Sequence, residues 1–420
     1  MSDVNPYISQ DIWFEIFKEL PVKILGKCRC VCKSWHSLIV SPTFMAAHLN
    51  HYTQNDANSL LLYRKISLNI SQHEQYCFFL DSGRIPLQLS HTSICPFNVF
   101  YDSQHCSFFV GSINGLICLS DDGYLGPTIQ IMLWNPFLRK TINLPLSMAA
   151  TIDLDDQTSV LGFGYDSKKN DHRVVKISYS RGNHEFNPLV EVYSVWDRIW
   201  RNIPSDYLVG HSIPMVSSSQ CFINGVVYWL TSENYVIDNS SFGKWIVSFD
   251  IVEETFEKIE LPNKILNSWK GEFGILEYKT KLSLSHCEYQ RDMDAMVIGA
   301  IVHIWVKEEK SWCLILNIAI NDYIHMGPID YLGRNGELFG FARATDKMLI
   351  LCDILMTKTR LRFTLGIRHF VMKEFLELGL HQDASTKFAA FTESLVLLDD
   401  QNTDVCTNDA LKSIPYIHST

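Results

Sequence analysis

The sequence predicts an α+β chain in which a small N-terminal module of three helices precedes a large all-β, propeller-like domain of about six blades. Helical spacing of apolar residues is confined to roughly the first fifty positions. From about residue 59 onward, short runs rich in β-branched and aromatic residues are broken by Gly, Asn, Asp and Pro. Turn motifs in that part recur with a period of about 55 residues, which is typical of a propeller.

The first helix is predicted over residues 9–20, with Ser9 as its N-cap and Pro21 ending it. Its apolar side chains cover an arc of about 200° on a helical wheel, whereas packing against a single core needs only about 100°. They are Ile12, Trp13, Phe14, Ile16, Phe17 and Leu20. We therefore expect one part of this arc to face the module's own core and another part to face a partner.

Two further short helices are predicted over residues 22–29 and 33–39, and Ser41-Pro42 is a cap and N1 pair that opens a fourth turn. A unit of about 40 residues with no metal or disulfide has too small a core to be stable alone. We expect it to pack against a neighbour, either within the chain or in another protein.

Three cysteines alternate at positions 28, 30 and 32 in the segment CRCVCKSWHSL. Zinc ligands usually occur as pairs separated by two to four residues, with a second pair downstream, and no such second pair follows here. The spacing therefore predicts buried structural thiols, no metal site and no cofactor.

The stretch ISQDIWFEIFKELPVKILGKCRCVCKSWHSLIVSPTFMAAHL resembles an F-box of the plant type. The resemblance covers about 40 residues in unbroken register and includes Leu-Pro-Val-Lys at 20–23, Arg-Cys-Val-Cys-Lys-Ser-Trp at 29–35 and Ser-Pro-Thr-Phe at 41–44. It implies docking onto the small acidic Skp-type adaptor of a cullin-RING ubiquitin ligase. Three positions depart from the family pattern: Ser9, Gly26 and Cys28.

Carried over position by position, the resemblance predicts eight residues for the adaptor contact, and no catalytic, cofactor or metal residue. The alternative for each residue is that it only holds the three helices together, and this applies above all to Trp35 and Ile16. The eight residues are Ile12, Ile16, Leu20, Pro21, Ile24, Leu25, Val31 and Trp35.

In the β part, Asn-Gly turns at 114–115, 224–225 and 335–336 alternate with the segments GFGYD at Gly164 and FGILEY at Gly274. SLLLYR near residue 60 and FTESLVLL near the C-terminus are predicted to pair and close the ring. Seven tryptophans at strand ends indicate propeller core rather than a carbohydrate-stacking surface. They are Trp134, Trp196, Trp200, Trp229, Trp245, Trp305 and Trp312.

The β segments also resemble, in order, the F-box-associated interaction domain of plant F-box proteins, which is often described with kelch-type propellers. This resemblance implies that the domain captures an unknown protein target, with cullin and RING subunits joining through the adaptor. We predict an F-box over residues 5–50, a linker and first strands over 51–95, the F-box-associated domain over 96–400 and a tail over 401–420. Target-facing loops are expected on the side away from the helices.

Charge and segment analysis exclude several other classes. The net charge of −10 argues against nucleic acid as the main ligand, and no apolar run is long enough for a membrane span. We expect a cytoplasmic or nuclear protein. Two alternatives stay open: a propeller enzyme fused to a helical module, and an F-box protein that sequesters its partner without ubiquitination.

Overall fold

The computed structural model describes most of the helical module and the strands of the β domain. The described residues are 8–55, 59–65, 74–81, 88–96, 108–121, 129–147, 157–180, 188–204, 208, 220–231, 245–266, 271–291, 297–320, 324–333, 338–344, 347–350, 387–397 and 404–405. Among them, no helix combines the length and the apolar character that crossing a membrane requires.

Four helices form the N-terminal module: α1 Gln10–Lys18, α2 Val22–Cys28, α3 Lys33–Ile39 and α4 Pro42–Gln54. Ser9 occupies the N-cap of α1 as predicted, although its side chain makes no capping bond there. Ser41 caps α4, since its Oγ accepts the Phe44 N–H at 3.2 Å and Pro42 fills the first helical position. Where the sequence predicted a single fourth turn, α4 continues for 13 residues and is the longest helix of the module.

The described strands form six antiparallel sheets. From inner to outer strand, they are β23-β1-β2-β3, β4-β5-β6-β7 with β24 at its outer edge, β8-β9-β10-β11, β12-β13-β14-β15, β16-β17-β18-β19 and β20-β21-β22. The strands are β1 Leu60–Lys65, β2 Gln75–Leu80, β3 Gln88–Ile94, β4 Phe108–Ile113, β5 Leu116–Ser120, β6 Ile131–Asn135, β7 Lys140–Asn143, β8 Gln157–Asp166, β9 Asp171–Ser180, β10 Leu189–Ser194, β11 Ile199–Ile203, β12 Gln220–Ile223, β13 Val226–Leu230, β14 Trp245–Asp250, β15 Phe256–Glu260, β16 Glu272–Tyr278, β17 Lys281–Arg291, β18 Val297–Lys307, β19 Trp312–Ile320, β20 Ile324–Leu332, β21 Leu338–Ala344, β22 Lys347–Ile350, β23 Lys387–Phe391 and β24 Asp404–Val405; a short helix, α5 Asn263–Leu266, follows β15.

The inner strands close a ring. Contacts run from β23 to β4, then to β8, β12, β16 and β20, and return to β23. Each sheet packs its apolar faces against its two neighbours, as in the cluster that joins Val175 and Val192 of the third sheet to Trp229 and Phe249 of the fourth. The predicted helical module followed by a propeller of about six blades is therefore confirmed.

The ring is closed by a strand from each end of the chain. β1 pairs with β23 in a register that sets Leu60 opposite Phe391. The prediction that SLLLYR takes part in closure is confirmed, but its partner is KFAAF at 387–391, and FTESLVLL contributes only its first residue. The segment after β23, residues 392–397, leaves the sheet and passes between the propeller and the helices; we call it the C-terminal strap.

Two Asn-Gly pairs form the predicted tight turns. Asn114 and Gly115 have φ of 49° and 78°, and Asn224 and Gly225 have φ of 50° and 88°, so both residues of each turn are left-handed. The third predicted pair, at 335–336, lies outside the described residues. The segment at Gly164 is part of β8 and not a turn, because a Cβ on that glycine would approach the Ile251 side chain to 2.6 Å. Close packing between sheets, rather than turn geometry, explains glycine there.

Three longer hairpin turns share one side-chain device. The Oδ1 atoms of Asn135, Asp166 and Asp250 each accept the backbone N–H groups two and three residues later, at 2.8 to 3.1 Å. In each case the fourth residue after the acceptor has positive φ. This device explains why Asn or Asp stands at the end of these three strands.

The propeller has two unlike faces. Turns between first and second and between third and fourth strands are short, as at 114–115, 136–139 and 167–170, and they share one face. The strand ends that begin the longer connections, such as 121–130 and 231–244, lie on the opposite face. We call these the short-turn face and the long-connection face. The helices pack on the short-turn face, against the 136–139 turn.

The seven tryptophans that were predicted to be core fall into three groups: four are buried, Trp200 and Trp312 are half-buried, and Trp196 is exposed. Four of them, Trp134, Trp229, Trp245 and Trp305, are 7% exposed or less. Trp196 is 79% exposed at the tip of the β10–β11 hairpin, so for this residue the prediction was wrong. The reason is positional, since Trp196 follows the last residue of β10 and extends beyond the sheet.

Two glycines in equivalent turns provide a test of whether the C-terminal strap packs against the 114–115 turn. A Cβ on Gly115 would lie 2.2 Å from Ser394 Oγ and 2.8 Å from its backbone nitrogen, whereas a Cβ on Gly225 meets nothing within 4 Å. Both glycines have positive φ, which costs alanine about 1 kcal/mol. Gly225→Ala is therefore expected to lower the free energy of unfolding by this amount only. Gly115→Ala should lower the free energy of unfolding by at least about 1 kcal/mol more, because its Cβ also collides with Ser394. Urea unfolding measures the difference, and equal losses would show that the strap is not seated as described.

Candidate functional site

The two sides of α1 have different environments. Phe17 is buried, and its ring lies 4.9 Å from that of Trp35, which in turn lies 4.6 Å from Trp13. Ile12 and Ile16, on the other side, are 53% and 41% exposed. The wide apolar arc is therefore divided as predicted: one part builds the module's core, and the other has no cover within the described chain.

Exposed apolar side chains concentrate on this module. Of the ten large exposed hydrophobic residues in the described part of the chain, five lie within residues 8–31. Scattered exposed hydrophobic residues are ordinary, whereas a group of them on one small module indicates an interaction surface. We call this group the helical apolar surface: Ile8, Ile12, Ile16, Ile24 and Val31.

The eight residues predicted for the adaptor contact occupy three environments. Pro21 is exposed together with four members of the helical apolar surface, and Leu20 and Trp35 are half-buried. Leu25 has no exposed surface. Val22 and Leu25 lie three residues apart on the inner side of α2, which turns Ile24 outward. Leu25 therefore lies in the module's core in this structure, and its contact with an adaptor stays a prediction.

Basic side chains accompany the helical apolar surface. Lys23, Lys27 and Lys33 are exposed on α2 and α3. Lys18 contacts Glu15 at 2.5 Å on α1. An apolar surface with lysines beside it is complementary to a partner that presents apolar pockets within an acidic surface.

The three alternating cysteines are not all buried. Cys28 is half-buried, but Cys30 and Cys32 are exposed, so the prediction of buried thiols was wrong for these two. They lie at and after the end of α2, where the chain turns towards α3. A hydrogen bond with the Ser34 hydroxyl, at 3.2 Å, lowers the pKa of the Cys32 thiol. In the described chain, no group of three or more His, Cys, Asp or Glu residues is placed to hold a metal.

The core of the helical module is completed by the propeller. Leu395 of the C-terminal strap is 1% exposed and packs in one cluster with Phe17, Leu25 and Phe44. Phe137, from the short-turn face, packs at the edge of the same cluster. The expectation that this small module needs a neighbour is thus confirmed, and the neighbour lies within the chain.

Polar contacts fix the strap on both sides. The Asn135 amide donates to the carbonyl oxygens of Ser394 and Val396, at 3.0 and 2.9 Å. On the helical side, the Glu393 carboxylate accepts the Val22 N–H at 3.2 Å. Sequence analysis missed these residues. Asn135 was visible as a turn former, but nothing in the sequence links it to positions about 260 residues later.

Gly26, one of the three departures from the F-box pattern, lies in α2 without a special conformational role. It has no positive φ, and an added Cβ would meet nothing within 4 Å. Gly26→Ala is therefore expected to stabilise the module by up to about 1 kcal/mol. Urea unfolding followed by hydrogen exchange in α1 to α4 would measure the gain, and a loss of stability would show that α2 needs glycine there.

The chain is thus a two-domain protein: an N-terminal helical module with an exposed apolar surface is joined to the short-turn face of a propeller. The F-box domain family matches residues 8–46, and the F-box associated beta propeller domain family matches residues 65–339. The chain belongs to the family of F-box proteins with an F-box-associated β-propeller domain.

Relatives from Arabidopsis thaliana agree with this membership. The chain is 27% identical over 333 residues to an F-box/kelch-repeat protein, covering 74% of this chain and 79% of the relative. It is 26% identical over 388 residues to the F-box protein CPR1, covering 84% and 80%. A solved α-L-arabinofuranosidase from Clostridium thermocellum is 12% identical and covers 62% of this chain and 94% of its own, with a TM-score of 0.31, which is too low to support any inference about function.

Proposed function

We propose that this chain is the target-recognition subunit of a Skp-cullin-F-box ubiquitin ligase. The F-box binds a Skp-type adaptor through the helical apolar surface, and the adaptor brings the cullin and RING subunits. The propeller binds a target protein, and the chain performs no catalytic step itself. Its place of action is the cytoplasm or the nucleus.

The helical apolar surface carries this proposal. It remains exposed after the propeller has covered the other side of the helices, and it includes Ile12, Ile16 and Ile24 at positions carried over from the F-box pattern. Burying such side chains against a partner contributes about 1.5 to 3 kcal/mol each. The nearby lysines favour an acidic partner, which is the character of the Skp-type adaptor.

Target capture is assigned to the long-connection face. The helices pack on the short-turn face, so an adaptor bound to them leaves the opposite side of the propeller open. Loops held at the ends of rigid strands are where binding specificity usually lies. The choice of target then depends on the side chains of those connections.

The test is direct binding of the purified chain to a purified plant Skp-type adaptor, measured by calorimetry. The wild type is expected to bind in a 1:1 complex, and Leu20→Ala/Pro21→Ala is expected to bind much more weakly while keeping its circular dichroism spectrum. Absence of binding by a folded wild-type chain would overturn the proposal. Adaptor binding without accelerated turnover of any captured target would favour sequestration instead.

A further inference from the structure

Glu393 lies where the strap, α2 and α4 meet. Its carboxylate accepts the N–H of Val22, the first residue of α2, which directly follows Pro21. Pro21 is exposed beside Leu20 in the turn between α1 and α2. This part-buried hydrogen bond therefore adds a polar contact between the strap and the turn that carries two of the predicted adaptor residues.

The carboxylate is held in place from the propeller side. Asn135 binds the carbonyl groups on both sides of residue 395, and Leu395 itself is enclosed by the helices. These contacts bind the strap to the propeller beside Glu393, and the bond from the Val22 N–H joins that residue to α2.

Removal from water dominates the electrostatics of this carboxyl. Burial raises the pKa of Glu393 to about 7, against opposing effects of the Val22 N–H and of Lys23. Other charged or titratable groups face this junction from the packed elements. They are Glu19, His48, His51 and Tyr52 from the helices, and His91 and Arg139, which act on the same region from the propeller.

We propose that Glu393 is a positioning residue for the adaptor-binding surface: its carboxyl accepts the Val22 N–H from a strap that Asn135 binds to the propeller, and so holds the Pro21 turn against the propeller. The inference rests on the proposed function in that the surface concerned is the one assigned to the adaptor. The junction between the helical module and the strap is then more stable in slightly acidic conditions than in slightly alkaline ones.

The sign follows from the two protonation equilibria. The pKa of Glu393 is about 7 when the junction is closed, and an exposed glutamate has a pKa near 4.5. The closed junction therefore binds the proton more tightly, and the stability it gains is lost as the pH rises through about 7. Between pH 6 and pH 8, the equilibrium constant for opening the junction should rise about tenfold.

Hydrogen exchange at the Val22 amide tests the inference in the full chain without any partner. After correction for intrinsic rates, protection in the wild type is expected to fall about tenfold from pH 6 to pH 8. Glu393→Gln keeps an oxygen acceptor but does not ionise. In this variant the protection of the Val22 amide should therefore be the same at pH 6 and pH 8. Leu395→Ala should lower protection at both pH values and keep the tenfold ratio, because it weakens packing and leaves the carboxyl in place.

Adaptor affinity is measured on the same samples. The affinity of the wild type should fall as the pH rises. The affinity of Glu393→Gln should lack the part of this fall that is due to ionisation of residue 393. Identical pH dependence of Val22 exchange in the wild type and Glu393→Gln would overturn the inference even if the adaptor binds. A wild type that shows the exchange pattern but binds no adaptor at any pH would overturn the proposed function, and with it the positioning role.

Discussion

Replacing Ile12 and Ile16 together by aspartate is expected to weaken binding to a Skp-type adaptor by at least about 100-fold. Both side chains are more than 40% exposed on one side of α1 and have no packing role in the core. Each loses about 1.5 to 3 kcal/mol of apolar burial in the complex, and every 1.4 kcal/mol corresponds to a factor of ten in the dissociation constant. Calorimetric titration with purified adaptor measures the loss.

The chain offers a matched control for this variant. Ile199 is 56% exposed on the outer strand of the third sheet and is not part of the cluster that joins the helices to the propeller. Ile199→Asp makes the same chemical change at the same degree of exposure, so adaptor binding should stay within about twofold of the wild type. Both variants should unfold within about 0.5 kcal/mol of the wild type, since surface changes rarely cost more. Equal binding by the double variant and this control would locate the adaptor elsewhere.

Leu395→Ala is expected to destabilise the helical module by about 2 to 5 kcal/mol, the range for removing a buried leucine side chain. The residue lies some 370 positions from the core that it fills, and it is 1% exposed there. A module of this size has little stability of its own, so its four helices should unfold before the propeller. Hydrogen exchange across residues 10–54, together with urea unfolding, would show this as a separate early transition.

Leu284→Ala is the control for this second prediction. Leu284 is fully buried between the fourth and fifth sheets, far from the strap. The same deletion there should destabilise the propeller and leave exchange in the helices unchanged. A single cooperative transition in Leu395→Ala, with no selective loss of protection in α1 to α4, would mean that the strap is not part of the helical core.

These two predictions separate the outer and inner surfaces of one module. The outer surface should affect partner binding without affecting stability, because its side chains contact solvent. The inner surface should affect stability first, because its side chains contact the propeller. Leu25 shows why the distinction matters: the F-box pattern places it among the adaptor contacts, but the packing of α2 directs it inward.

Several features of the fold follow from local sequence alone. The helix breaks at Pro21 and Pro42, the left-handed turns at Asn114-Gly115 and Asn224-Gly225, and the division of the apolar arc of α1 depend on residues within a few positions of one another. The repetition of turn motifs also indicated a propeller, since several sheets use the same short-range signals. Those predictions succeeded because the interactions concerned are local.

The sequence by itself determined the order of the two domains, the repeated strands and the F-box pattern on which the proposed adaptor contact rests. Only the tertiary structure decided which strand closes the ring, that Leu25 is covered, and that Glu393 and Leu395 complete the helical module. These outcomes depend on contacts between positions hundreds of residues apart. No local pattern specifies such a contact, because the free energy that selects it comes from burial between surfaces that exist only once both domains have folded.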